Sequence, residues 1–245
     1  MTRRNRTKQE EIRCVEVFKS VIADFPAGEL IADPHQERPD VVVKTAQARI
    51  GIEVTRILNP ELRRNESECD QMIEAARELY EKRSLPHLHV SVHVTGEKVF
   101  TRSNRQRFAS ALADVVAANV PQANELQEVE NDCNNPAAFP YEIDSILILR
   151  NRALTRNYWN AGKAGFILED FTDRLQAVID QKESRIGGYD TDCSELWLLI
   201  VAENDNPSAA FDPSPATLSH SYTSSFHRVF ILNLFQRKVS DLKIK

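Results

Sequence analysis

An α/β fold, with a mixed central β-sheet flanked by helices, is what the pattern of this chain predicts. Three observations lead there. Segments with helical and strand periodicity alternate along the chain, a short hairpin stands near the start, and the stretches 143–149 and 196–201 are almost continuously apolar, as strands buried on both faces are. The chain has 245 residues, 42% of them hydrophobic, which is enough for one large core. No internal repeat or composition break marks a boundary, so a single domain over 1–245 is expected.

The elements follow in order. Ile12, Val15, Phe18, Val21, Ile22 and Phe25 recur at helical spacing, and Pro26 and Gly28 end that pattern, which predicts a helix over 9–25. A short strand at 30–32 and a polar loop at 33–38 precede a strand at 39–44, where Pro39 is acceptable because the first strand residue needs no ladder bond. A turn at 45–48 then returns the chain through a second strand at 49–57. Beyond Pro60 a helix is expected over 67–83, with Ser67 as its cap and Met72, Ala75, Ala76, Leu79 and Tyr80 inward.

Leu88, Val90, Val92 and Val94 alternate with polar residues as a half-buried strand does, and 105–118 is an amphipathic helix. Asn, Pro and acidic residues make 122–141 a long surface loop. After the strand at 143–149, a helix at 166–186 stops at Gly187 and Gly188. The apolar strand at 196–201, a proline-rich loop at 204–219 and strands at 229–234 and 238–242 complete the order.

Charge excludes some roles. The formal net charge is -5, so nucleic acid would have to be met by a local basic face. Arg3, Arg4, Arg6 and Lys8 form a basic start suited to a phosphate backbone or to a solvated terminus, whereas no Lys or Arg occurs from Phe108 to Leu149. The four cysteines are widely spaced, without zinc-module or disulfide-framework spacing. No signal peptide core or run of about 20 apolar residues occurs, so a cytoplasmic protein without a membrane partner is expected. Glycine-rich phosphate loops, dinucleotide fingerprints and Gly-x-Ser-x-Gly elbows are absent from the sequence.

Chemistry concentrates in the hairpin. Pro39 and Asp40 open one strand, and Ile52, Glu53, Val54 and Thr55 lie on the next, so two carboxylates stand on adjoining strands. Side chains two apart share a face, which groups Asp40 with Lys44 and Glu53 with Thr55. A buried acid is strongly disfavoured without a partner. Mg²⁺ (or Mn²⁺) would remove that penalty, with Asp40, Glu53 and the Val54 carbonyl as ligands.

The order helix, Pro39-Asp40, hairpin ending Ile52-Glu53-Val54-Thr55, then helix resembles the core of the PD-(D/E)xK, or restriction-endonuclease-like, superfamily of phosphodiesterases. The resemblance covers about the first third of the chain and implies a Mg²⁺-dependent nuclease, with DNA as its usual substrate. It makes Asp40 the first metal ligand and Glu53 the second acid. Thr55 stands where the lysine is expected, so Lys44 or Lys182 would have to supply that charge from elsewhere. The first helix of such proteins often adds an acid, a role open to Glu16 or Glu11. Arg56 and Lys182 are candidate phosphate contacts, a salt bridge being the simpler reading for Arg56. The alternative is a nuclease-like fold that no longer cuts and serves as a binding or regulatory module, as a homodimer or within a larger assembly.

Weaker signals remain. His87, His89 and His93 share a strand face that suits zinc or, more simply, a polar surface. Tyr158 and Trp159, in a loop with Arg150, Arg152 and Arg156, have the makings of a base-stacking and phosphate-binding patch or of a loop anchor.

Overall fold

The computed structural model describes residues 3–32, 39–94, 100–131, 139–163, 167–188, 192–204 and 206–245, with backbone alone at 3–6 and 163. In chain order the elements are α1 (Arg3–Val21), β1 (Glu29–Ile31), β2 (Val41–Lys44), β3 (Arg49–Arg56), α2 (Pro60–Glu81), β4 (His89–Val94), α3 (Arg105–Ala118), β5 (Glu125–Glu130) and β6 (Ser145–Arg150). They continue with β7 (Tyr158–Lys163), α4 (Thr172–Glu183), β8 (Glu195–Ala202), α5 (Pro215–Ser219), β9 (Ser221–Tyr222), β10 (Arg228–Asn233), β11 (Lys238–Asp241) and β12 (Lys243–Ile244). The architecture is α/β with mixed sheets and flanking helices. Where the sequence showed no boundary, the chain divides into two compact units, Met1–Leu58 with Ile167–Lys245, and Asn59–Phe166.

The first unit is built on a six-stranded sheet in the order β1-β2-β3-β8-β10-β11. β1, β2 and β3 form an antiparallel meander, β3, β8 and β10 run parallel, and β11 returns antiparallel. The central strand β8 is flanked by strands on both sides and carries Trp197 to Ala202 fully inside, which is why it reads as an unbroken apolar run. Its odd-numbered residues meet α1 and its even-numbered residues meet α4. On the α1 face, Val15 and Phe18 are fully buried against Val41, Ile52, Val54, Leu199 and Phe230, and Phe18 meets Trp197 edge to face with ring centroids 6.5 Å apart. On the other face Leu175 and Ile179 of α4 pack on Leu198, Ile200, Val229 and Ile231. Each such fully buried side chain contributes about 1.5–3 kcal/mol relative to exposure.

The helix predicted at 166–186 is shorter, Thr172–Glu183, and α5 occupies part of the predicted loop at 204–219. The loop expected at 33–38 lies outside the described residues. In the hairpin, the Thr45 backbone N–H donates to the Ala48 carbonyl at 2.9 Å while the Thr45 hydroxyl oxygen accepts from Ala48 N–H, so the turn sets the register that puts Val41 opposite Ile52.

The second unit has a four-stranded sheet, β5-β6-β4-β7, with α2 and α3 on one face. Asn59, not Ser67, caps α2: its side-chain oxygen accepts from the Glu61 and Leu62 N–H groups, and Pro60 starts the helix without sacrificing a bond. Ser67 lies within that helix. Part of the expected surface loop at 122–141 is strand β5, whose Glu-Leu-Gln-Glu-Val-Glu sequence has little strand propensity and is held by its ladder to β6. Residues 132–138 of that loop are outside the described set. Tyr158 and Trp159 belong to β7, paired in parallel with β4, and not to a loop.

Candidate functional site

Because Val41 pairs with Ile52, the antiparallel register carried one residue further sets Asp40 opposite Glu53. Regular pairing of β2 stops at Val41, and beyond it the Asp40 side chain takes the place of a ladder acceptor: Oδ2 accepts the Val54 N–H at 2.9 Å. The N–H and C=O of one strand residue project to the same side, so the Val54 carbonyl opens toward Asp40 as well. Pro39 fits above Gly51, where an added Cβ would lie 2.7 Å from Pro39 Cγ and 2.8 Å from Leu196 Cδ2. Glycine at this point lets the Pro39-Asp40 step close on β3.

Glu53 is 4% exposed and pairs with a partner from α4, Lys182 Nζ lying 2.7 Å from Glu53 Oε1. From α1, Lys8 Nζ is 3.2 Å from Glu11 Oε2, 3.4 Å from Asp40 Oδ1 and 3.1 Å from the Asp40 carbonyl oxygen. Burial, and then the negative charge of Asp40, push the Glu11 carboxyl above its ordinary pKa; Lys8 opposes this and Glu53 adds to it. Three acids and two ammonium groups from α1, the β2 entry, β3 and α4 therefore share one field. With all five ionised, their formal charge is -1.

The donors are carboxylate and carbonyl oxygens, the set that hard divalent cations prefer. Burial first, and then the Asp40 charge, raise Glu11, and a bound cation would relieve both by favouring the charged carboxylate. Among the described residues no three His, Cys, Asp or Glu side chains already converge as a preformed metal cage.

The other predicted residues are placed as follows. Thr55 is half-buried on the Glu53 face of β3. Lys44 is exposed at the far end of β2 from Asp40 and is not brought to the acids. Glu16 is exposed on α1, and Glu11 is the α1 acid that joins the cluster. Arg56 is held by Glu203 at 2.7 Å and by Glu10 at 3.1 Å, the salt-bridged state named as its simpler reading. The helix that follows the hairpin in sequence, α2, belongs to the second unit, and α4 is the one that reaches Glu53.

Lys8 was grouped with the basic start, yet it enters the cluster. The legible signal was its three-residue spacing from Glu11, which stacks both on one helix face. The side chains of Arg3, Arg4 and Arg6 lie outside the described residues.

In the second unit, His89 Nε2 is 3.3 Å from Asn160 Oδ1 and the His93 ring covers Gly162, so these histidines form a polar sheet face. The Arg156 guanidinium stacks on Tyr158 with 4.7 Å to the ring centroid, while Trp159 packs on Tyr80. Among the described residues, no helix is long and apolar enough to cross a membrane.

No protein-family model matches this chain, and comparisons with curated proteins and with solved structures give no match.

Proposed function

We propose that this chain is a divalent-metal-dependent phosphodiesterase with a restriction-endonuclease-like core, acting on nucleic acid, with DNA as the substrate of choice. The observation that carries the reading is the delivery of Lys182 to Glu53 by α4, which supplies in space the ammonium that Thr55 does not supply in sequence. Support also comes from the order of elements in the first unit: α1, the β2–β3 hairpin, α4, and β8 parallel to β3.

In this reading Asp40, Glu53 and the Val54 carbonyl hold Mg²⁺ or Mn²⁺, with Glu11 as the accessory acid. A bound ion of this kind polarises a phosphate and lowers the pKa of its water. The protein's own groups do the remainder. The Val54 N–H fixes the Asp40 carboxylate, so its direction costs nothing at the moment of reaction. Lys182, 2.7 Å from the Glu53 carboxylate, provides positive charge for the charge that develops on phosphorus-bound oxygens. The Thr55 hydroxyl, on the Glu53 face, can donate to phosphate or water.

The test is cleavage of single- and double-stranded DNA with and without MgCl₂ by the wild-type chain and by Asp40→Asn, Glu53→Gln and Lys182→Ala. The expected outcome is a loss of about 100-fold or more for each variant, the usual scale for a removed charge-stabilising group. Wild-type rates in all three would overturn the assignment, as would cleavage that survives chelation.

One observation favours the second reading, a nuclease-like fold that binds without cutting. Lys8 and Lys182 already attend Asp40 and Glu53, so the acids are largely compensated without an ion. That reading expects DNA or protein binding indifferent to Mg²⁺ and no heat of metal binding.

A further inference from the structure

The two lysines of the cluster are held differently. Lys182 makes one short contact, 2.7 Å to Glu53 Oε1. Among the described residues Lys8 makes none so short: it straddles three oxygens at 3.1, 3.2 and 3.4 Å, from the Asp40 carbonyl, Glu11 Oε2 and Asp40 Oδ1. Its side chain is nonetheless only 12% exposed, so the ammonium sits within the cluster and not in solvent. A compact point charge on a flexible four-carbon stem, spread over several carboxylate and carbonyl oxygens without a short bond to any, occupies them as a metal ion would.

Resting on the metal-site reading above, we infer that Lys8 is a resident cation that competes with the divalent metal for the Asp40 and Glu11 oxygens. Ammonium and metal cannot both use the same carboxylate lone pairs at contact distance, and their like charges repel. Metal entry therefore displaces Lys8 from these oxygens. The lysine compensates the buried acids when no metal is bound, so the fold tolerates them, and it sets the metal concentration at which the site fills. Lys8 is a positioning residue in this account, since it touches the acids and not the substrate.

The experiment is calorimetric titration of the full chain with MnCl₂, comparing wild type with Lys8→Met and Lys8→Gln, which keep bulk and remove charge. Both variants are expected to bind Mn²⁺ about tenfold or more tightly than wild type, because ligand-set charge governs affinity for hard cations. Equal or weaker binding by folded variants overturns the competition, and shows that Lys8 is inert or instead holds Asp40 in place. If neither wild type nor variants take up Mn²⁺, the metal site itself falls and the competition with it, a result distinct from equal affinities.

A second measurement needs no variant. In the wild-type chain the Lys8 ammonium signal, followed by NMR during MgCl₂ titration, is expected to lose its protection from solvent exchange as the metal binds. A signal still protected at saturating Mg²⁺ overturns the inference.

Discussion

Lys182 Nζ lies 2.7 Å from Glu53 Oε1, although 129 residues separate them along the chain. The second unit, Asn59–Phe166, accounts for most of that separation: it is inserted between the strand that carries the acid and the helix that carries the base. Glu53 is directed to the α4 face by strand alternation, and α4 is held there by Leu175 and Ile179, so the pair is set by the core packing beneath it.

That pair should be energetically coupled. Lys182→Met removes the ammonium from a carboxylate 5% exposed, and is expected to cost about 3–5 kcal/mol in urea unfolding, the range for breaking a buried ion pair. Glu53→Gln combined with Lys182→Met should cost less than the sum of the single changes by about 1–3 kcal/mol. Strict additivity would show that the contact is not maintained in solution.

Asp40 offers a comparison between two substitutions. Asn at this position retains an oxygen that can accept the Val54 N–H, whereas Ala leaves that buried donor without one. Asp40→Ala should therefore be less stable than Asp40→Asn by about 1–3 kcal/mol, the cost of an unsatisfied buried group. On the proposed metal-site reading, both should also lose Mg²⁺-dependent cleavage. Equal stability of the two would mean that the N–H bond contributes nothing to holding the Pro39-Asp40 step on β3.

Gly51→Ala probes the seat of the Pro39-Asp40 step. The new methyl would stand 2.7 Å from Pro39 Cγ and must displace it, because the proline ring has no rotamer to yield. A cost of about 1–3 kcal/mol is expected, as for other overpacked sites. Weaker Mn²⁺ binding should accompany it, because Asp40 is the next residue. A variant with wild-type stability and affinity would separate Pro39 packing from the site.

The Glu11 carboxyl gives the site a pH signature. Burial and the Asp40 charge raise its pKa in the folded chain, so over the window between its unfolded and folded values the folded state holds the extra proton. Stability from this group thus falls as pH rises through that window, starting near the ordinary value of 4.5. Glu11→Gln should remove the fall, so the variant gains on the wild type between pH 4 and pH 7 in denaturant titrations. A constant difference across that range would show that neither burial nor the Asp40 charge acts on Glu11 in solution.

Periodicity carried much of the fold. The helix predicted at 105–118 and the structure's α3 coincide, and the hairpin, β4, β6 and β8 lie where alternation or apolar runs put them. Strands β5 and β7 escaped detection because Glu125–Glu130 and Tyr158–Lys163 carry polar or bulky residues on both faces, and only the β6 and β4 ladders make them strands. The division into two units was also invisible, since Leu58 and Ile167 carry no linker composition and their relation depends on which helices share which core.

By itself the amino-acid order placed two acids on adjoining strands of a hairpin with its turn at Thr45–Ala48, and the structure supplied the register that pairs Val41 with Ile52. It also offered Lys44 or Lys182, and Glu16 or Glu11, as the groups to join them. Only the tertiary structure decided that Lys182 arrives while Lys44 does not, that Glu11 is chosen over Glu16, and that Lys8 lies among the acids. Those choices belong to the helix packing on the two sheet faces, where contacts between residues far apart in sequence decide which polar side chains end at the same strand termini.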